Sequence, residues 1–216
     1  MKSATPKVLH TIAGRSLIGH VFHSTRELAP EHTLLVVRHE RDLVAAAVED
    51  LVPGLHLVDQ DDVPGTGRAV ELAIAALPAG FDGDVIVLSG DVPLLDAATI
   101  ASLVEAHRGE EFAASVLTAR LADPSGYGRV LRSTDGVGID RIVEQADASA
   151  DEAAVDEVNS GTYVFRLEAL RGALARVGTS NAQGEKYLTD VFGILRADGA
   201  RVLAHEHRDT TILLGV

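Results

Sequence analysis

The stretch 85–96, VIVLSGDVPLLD, places a lone carboxylate, Asp91, just after four apolar residues and the step Ser89, Gly90, and just before Pro93. The unalternated run Val85, Ile86, Val87, Leu88 suits a parallel strand covered on both faces by helices. Open α/β sheets bind ligands at the carboxyl ends of their strands, so an acid there can hold a metal ion and, through it, phosphates. The competing assignment is an aspartate that fixes the turn before Pro93 or caps the next helix. Gly90 admits a turn or the close approach of a ligand. Two other groupings carry weaker chemistry. His20 and His23 have a spacing that could hold a metal, but without a third ligand nearby they read as ordinary surface or edge histidines. Gly65 and Gly67, around Thr66, precede a helical pattern and could bring backbone N–H groups to a phosphate or a base edge. They could equally form a plain loop-to-helix turn.

The elements that must position these groups alternate between strand and helix. Ser16 can cap a helix whose Leu17, Ile18, Val21, Phe22 and Leu28 share one face and which Pro30 ends. A strand follows at 33–37, then a helix at 41–51 with Leu43, Val44, Ala47, Val48 and Leu51 inward. A short strand at 55–58, the loop 60–67 (QDDVPGTG) and a helix at 68–77 lead to the buried strand. A helix at 97–107 comes next, capped by Asp96, with Ile100, Leu103 and Val104 facing in. The second half changes character, with strands at 113–119, 130–132, 139–144 and 162–165 and an acidic stretch at 146–157 that reads as a solvated loop or short helix. A helix at 187–197 and a strand at 202–205 close the chain. This predicts an α/β fold with a mixed, mostly parallel sheet and helices on both faces. By this pattern a nucleotide-binding core is expected at about 1–110 and a sugar-binding lobe at about 111–216.

With 216 residues, 46% of them hydrophobic, the chain can bury one sizeable core. No apolar run approaches the ~18 residues needed to cross a bilayer, and the first residues carry no apolar leader, so a cytoplasmic protein without a membrane partner is expected. There is no cysteine, which rules out disulfides and thiolate chemistry. A formal charge of −13 with scattered Lys and Arg argues against nucleic acid as a partner. It leaves room for a nucleotide if a few cations and N–H groups converge in one cleft.

Seven stretches, TPKVLHTIAGRSL, QDDVPGTGRAV, LSGDVPLL, GYGRVLR, IVEQADA, EVNSGTYVF and NAQGEKYLTD, occur in this order. Together they resemble the uridyltransferase domain of bacterial GlmU, within the sugar-phosphate nucleotidyltransferases, and the likeness runs from Met1 to Val216. The resemblance implies a Rossmann-like nucleotidyltransferase fold and a magnesium-dependent reaction of UTP with N-acetylglucosamine 1-phosphate, giving UDP-N-acetylglucosamine and pyrophosphate for cell-wall synthesis. It assigns Asp91 to Mg2+ and Lys7 to phosphate charge during transfer. It assigns Gln60, Gly65 and Thr66 to the uracil, and Gly128, Glu144 and Asn159 to the sugar, with Tyr187 and Thr189 flanking the same pocket. Ser89, at the nucleotide, stands where many relatives have a tyrosine.

The resemblance also implies departures. Met1 aligns with the last residue of the family's glycine-rich loop, so the first strand, that loop and its arginine are expected to be missing. An asparagine expected to complete the magnesium site would follow Val216. The left-handed β-helix that carries acetyltransferase activity is not matched, so trimer formation by that route is not expected. A strand lost from the middle of a sheet would leave two neighbours with unpaired edges, and the fragment would be weak or inactive alone. Competing expectations are a catalytically silent binding module and a nucleotidyltransferase for another sugar phosphate.

Overall fold

A computed structural model of the chain describes residues 5–134 and 138–215; Met1 and Val216, where the family likeness begins and stops, lie outside them. After a single 3-10 turn at Lys7–Leu9, the chain forms a hairpin of β1 (Thr11–Ile12) and β2 (Arg15–Ser16). Its two turn residues, Ala13 and Gly14, have φ of 50° and 80°, the left-handed backbone that tight hairpins require. Ser16 then caps α1 (Leu17–Arg26) by accepting from the Gly19 N–H at 3.1 Å, and the helix buries Leu17, Ile18, Val21 and Phe22. Next come β3 (Leu34–Val37), α2 (Arg41–Val48), β4 (His56–Asp59), α3 (Thr66–Ala75), β5 (Asp84–Val87) and α4 (Ala97–Gly109). The face expected for α2 is narrower than its apolar residues suggest. Val44 and Val48 are buried, whereas Leu43 is 52% exposed and Ala47 also faces out. A helix of about two turns lying on a two-stranded sheet presents one i, i+4 pair to it.

The second half contains β6 (Ala114–Arg120), β7 (Arg129–Arg132), β8 (Ile139–Val143), α5 (Ala150–Ala153), β9 (Glu157–Arg166), α6 (Leu167–Leu174), α7 (Asp190–Ala197) and β10 (Val202–Glu206). β9 begins five residues before the expected 162. The reason is Glu157, an acid that reads as solvated but is 1% exposed because Arg120 and Arg132 both pair with it and Thr118 donates to it. α6 was not anticipated, since LEALRGAL follows the strand with no turn residue between them. α7 starts at Asp190 rather than 187, and the Leu188 N–H before it donates to the Thr66 hydroxyl at 3.2 Å.

The main sheet runs β10-β6-β9-β7-β8, with β5 also on β9, and β3 and β4 pair separately. The sheet is mixed as predicted, but it is not mostly parallel. Among the described residues, parallel pairing is confined to β10 with β6 and β3 with β4. β5 lies antiparallel to β9, with Val87 opposite Tyr163, so the expectation of a parallel strand at 85–88 is corrected. The cause is β9, which runs back between β5 and β6 and bonds to both. Among the described residues, β3 and β5 each pair on one side only.

Side-chain alternation along β9 divides the core between two faces. Tyr163 and Phe165 point to α6 and α7, where Leu170, Leu174 and Phe192 close the cluster. Val158 and Val164 point to α4, meeting Ile100, Leu103 and Leu117. A third cluster joins α1, through Ile18 and Phe22, to Val48, Leu35 and Leu88.

Candidate active site

Beyond β5 the chain leaves the sheet through Leu88, Ser89 and Gly90 to Asp91. A Cβ on Gly90 would lie 3.2 Å from Val8 Cγ1 and 3.5 Å from Ile18 Cδ1. The close approach anticipated for a ligand is therefore taken by Val8, and this docking brings the neighbouring Lys7 over Asp91. Lys7 Nζ donates to Asp91 Oδ2 at 2.5 Å, with the two side chains 48% and 30% exposed. Both charges stay open to an incoming phosphate and its counter-cation. The cap of α4 is Asp96, which accepts from the Thr99 N–H at 2.8 Å, so Asp91 is not needed there. Gly215 closes on the same carboxylate: a Cβ on it would sit 3.8 Å from Asp91 Oδ2.

Two residues before Asp91, the Ser89 hydroxyl donates to the Gly161 carbonyl at 3.3 Å, joining β5 to the middle of β9. Gly161 has φ of 77°, and a Cβ on it would come within 2.6 Å of Ser89 Oγ. The small side chain of Ser89 therefore serves a backbone contact. Asn159 follows along β9: its amide donates to the Tyr163 hydroxyl at 2.7 Å and its side-chain oxygen accepts from the Gly161 N–H at 2.9 Å. Its own N–H donates to the Gly128 carbonyl at 2.9 Å. Gly128 in turn faces Glu144, whose Oε2 would lie 3.3 Å from a Cβ there, and Glu144 Oε1 accepts from the Thr189 hydroxyl at 2.8 Å. Burial pushes the Glu144 carboxyl up; the Thr189 hydrogen bond opposes it, and the charges of Asp190, Asp147 and Glu185 reinforce it. Contacts thus run from Ser89 through Gly161, Asn159 and Gly128 to Glu144 and Thr189, and Asp91, two residues along the chain from Ser89, holds Lys7. Tyr187 lies within electrostatic reach of Glu144, and its hydroxyl donates to Gln183 Oε1 at 2.7 Å with Asp147 Oδ2 3.2 Å away. Burial and the neighbouring carboxylates push its hydroxyl up to about 12.

The loop 60–67 lies on the other side. Gln60 Nε2 donates to the carbonyls of Val63 and Gly65, both at 3.1 Å, which turns the amide oxygen outward. Gly65 and Gly67 lie against the backbone of the segment around Lys186. A Cβ on either would fall 2.4 Å or 2.8 Å from the Lys186 carbonyl, and the Gly67 N–H donates to that carbonyl at 2.7 Å. Room for this crossing backbone requires glycine at both positions. Sequence reasoning missed Lys186 and Glu71, which form an ion pair at 2.8 Å. The signal available was the need for two glycines around Thr66. His20 Nε2 meets the Ile12 carbonyl at 2.9 Å, and His23 is exposed. Among the described residues no three histidine, aspartate or glutamate side chains gather as a metal cage.

Comparison with known proteins puts these features in a family. The description "MobA-like NTP transferase domain" matches residues 1–191. The chain belongs to this nucleotidyltransferase family. It is 53% identical over all 216 residues to the bifunctional protein GlmU of Clavibacter sepedonicus, and 54% identical to that of Kineococcus radiotolerans. In both cases it spans 44% of the relative's length. The fold is also that of an inositol-1-phosphate CTP transferase from T. maritima, with a TM-score of 0.72 at 18% identity, over 96% of this chain and 79% of that one. The nucleotidyltransferase fold is thereby shown independently of close sequence likeness. Among the described residues no helix is long and apolar enough to cross a membrane.

Proposed function

We propose that the chain transfers UMP from UTP to N-acetylglucosamine 1-phosphate, giving UDP-N-acetylglucosamine and pyrophosphate. The observation that carries this reading is the partly exposed pair of Lys7 and Asp91 beyond the carboxyl end of β5, two residues along the chain from Ser89, which bonds to Gly161 beside Asn159. An oxygen of the sugar phosphate bonds to the α-phosphorus of UTP. The bond from that phosphorus to the bridging oxygen breaks, and its electron pair leaves with pyrophosphate. Such transfer depends on positioning and on neutralising charge rather than on a covalent enzyme intermediate.

Each residue has a task that its surroundings support. Lys7 sets its ammonium against the phosphate oxygens. Gln60, with its amide nitrogen held by two carbonyls, offers its oxygen to the N3–H of uracil; cytosine has no donor there. Glu144 and Asn159 offer a carboxylate and an amide hydrogen to sugar hydroxyls and the N-acetyl group, while Gly128 and Thr189 shape the space around Glu144. Asp91 fits magnesium as a single carboxylate, because this ion commonly takes one or two carboxylates and completes its shell with phosphates and water. When bound, the ion would shield the charge of the triphosphate.

Pyrophosphate release by the 216-residue chain with UTP, N-acetylglucosamine 1-phosphate and magnesium tests the reading. Asp91→Asn should lower the rate by about 100-fold or more, and CTP should not replace UTP. Release that survives in Asp91→Asn, or a folded chain that releases nothing, overturns it. A second reading, transfer to another phosphorylated polyol, draws on the fold shared with the inositol-1-phosphate CTP transferase. Glucose 1-phosphate and inositol 1-phosphate as acceptors in the same assay separate the two.

A further inference from the structure

The base-side loop and the sugar-side residues are joined by one segment, 181–189, which crosses over the start of α3. Its backbone is locked on both sides: the Lys186 N–H donates to the Pro64 carbonyl at 2.9 Å, and the Lys186 carbonyl accepts from the Gly67 N–H at 2.7 Å. The Leu188 N–H donates to the Thr66 hydroxyl at 3.2 Å. One residue on, Thr189 donates to Glu144. At the other end of the segment, the Ala182 N–H donates to Asp147 at 2.8 Å. The segment therefore touches both the loop that carries Gln60 and the Glu144 and Thr189 pair.

A charge pair fastens this crossing. The Lys186 side chain is 11% exposed, and its ammonium meets Glu71 Oε1 at 2.8 Å, while Glu71 Oε2 accepts from Arg68 Nη1 at 2.6 Å. Arg68 continues to Asp61 in the loop beside Gln60. Burial works against the Glu71 carboxylate, but Lys186 and Arg68 together hold it below its ordinary range. A lysine this covered needs its partner, since an unpaired buried ammonium is costly.

We propose that Lys186, through Glu71, is a positioning residue that couples the nucleotide subsite to the sugar-phosphate subsite. The coupling rests on the function proposed above; the clasp itself does not. With Lys186 and Glu71 paired, the loop at Gln60 and the Thr189 and Glu144 pair are held by one segment, so a ligand that orders one orders the other. Binding at the two subsites is then reciprocal, as linkage requires.

Two measurements on the whole 216-residue chain test this. Calorimetry reads the affinity for N-acetylglucosamine 1-phosphate with and without a non-hydrolysable UTP analogue and magnesium. In the wild type the nucleotide should tighten sugar-phosphate binding by about fivefold or more. In Lys186→Met, which keeps the aliphatic stem, and in Glu71→Gln, that factor should fall to about one. The exchanged pair Lys186→Glu with Glu71→Lys should recover part of it. Hydrogen exchange, read without ligand, should show the Gly67 and Leu188 amides exchanging about tenfold faster in Lys186→Met, with β6 and β9 amides unchanged. An unaltered coupling factor in Lys186→Met overturns the proposal, as does unaltered exchange at Gly67 and Leu188. A wild type that binds neither ligand overturns the proposed function and the coupling with it, and accelerated exchange then shows that the clasp alone stands.

Discussion

The two halves of the molecule bury their strands differently. In the carboxyl-terminal half, six of the seven residues of β6 and eight of the ten of β9 are buried. In the amino-terminal half, three of the four residues of β3 and all four of β5 are only partly covered, and both ends of β4 are exposed. The proposed site lies where the two kinds of structure meet, at the end of β5 and the middle of β9. A closed core holds Asn159 and Gly161 in β9, while the more open half supplies Ser89, which bonds to Gly161, and the Lys7 and Asp91 pair two residues beyond it. The half with fewer backbone partners thus carries Lys7 and Asp91, and the more closed half carries the half-buried Glu144.

The comparison breaks most visibly in the core. Phe165 is fully buried against Tyr163 and Phe192, with ring centroids 5.7 and 5.6 Å away. Phe165→Ala should cost about 3–5 kcal/mol in a denaturant titration. Leu35→Ala, in half-buried β3, should cost about 1–2 kcal/mol. Equal losses would show that the halves are equally well packed. Native-state hydrogen exchange sharpens the same contrast: amides of β3 and β5 should open about 100-fold more readily than those at the centre of β9, and matching protection would contradict it.

The junction itself is more forgiving. Gly161→Ala forces a side chain into left-handed backbone, at about 1–2 kcal/mol, while Ser89 can rotate away from the added methyl. Combining it with Ser89→Ala should leave most of that loss in place; full recovery would mean that the contact, not the backbone, sets the need for glycine. The smallest effect concerns pH. Because the folded Glu144 carboxyl is raised from its ordinary 4.5, the folded state holds its proton longer than the unfolded one. Stability should therefore fall as pH climbs from that ordinary value through the raised one. Glu144→Gln should remove this component of the slope in chemical unfolding measured across mildly acidic pH, and an unchanged slope would assign the effect elsewhere.

Much of the architecture was legible because local rules were obeyed. Ser16 and Asp96 cap the helices they precede, and apolar runs mark β3, β5 and β6. Legibility failed where a partner distant in sequence changed what a residue type means. Glu157 enters a buried strand because two arginines neutralise it. Gly65 and Gly67 serve Lys186, more than a hundred residues later, and Gly90 serves Val8.

The sequence by itself determined the order of elements, the absence of thiol chemistry, and the set of residues that the family likeness singles out. Only the tertiary structure decided that β5 runs antiparallel to β9, that Lys7 reaches Asp91, and that one segment ties the loop at Gln60 to Thr189. Periodicity and capping depend on neighbours a few residues away, so they can be read along the chain. Strand direction and ion pairing depend on which distant segments share an edge, and backbone hydrogen bonds at that edge carry no side-chain signature.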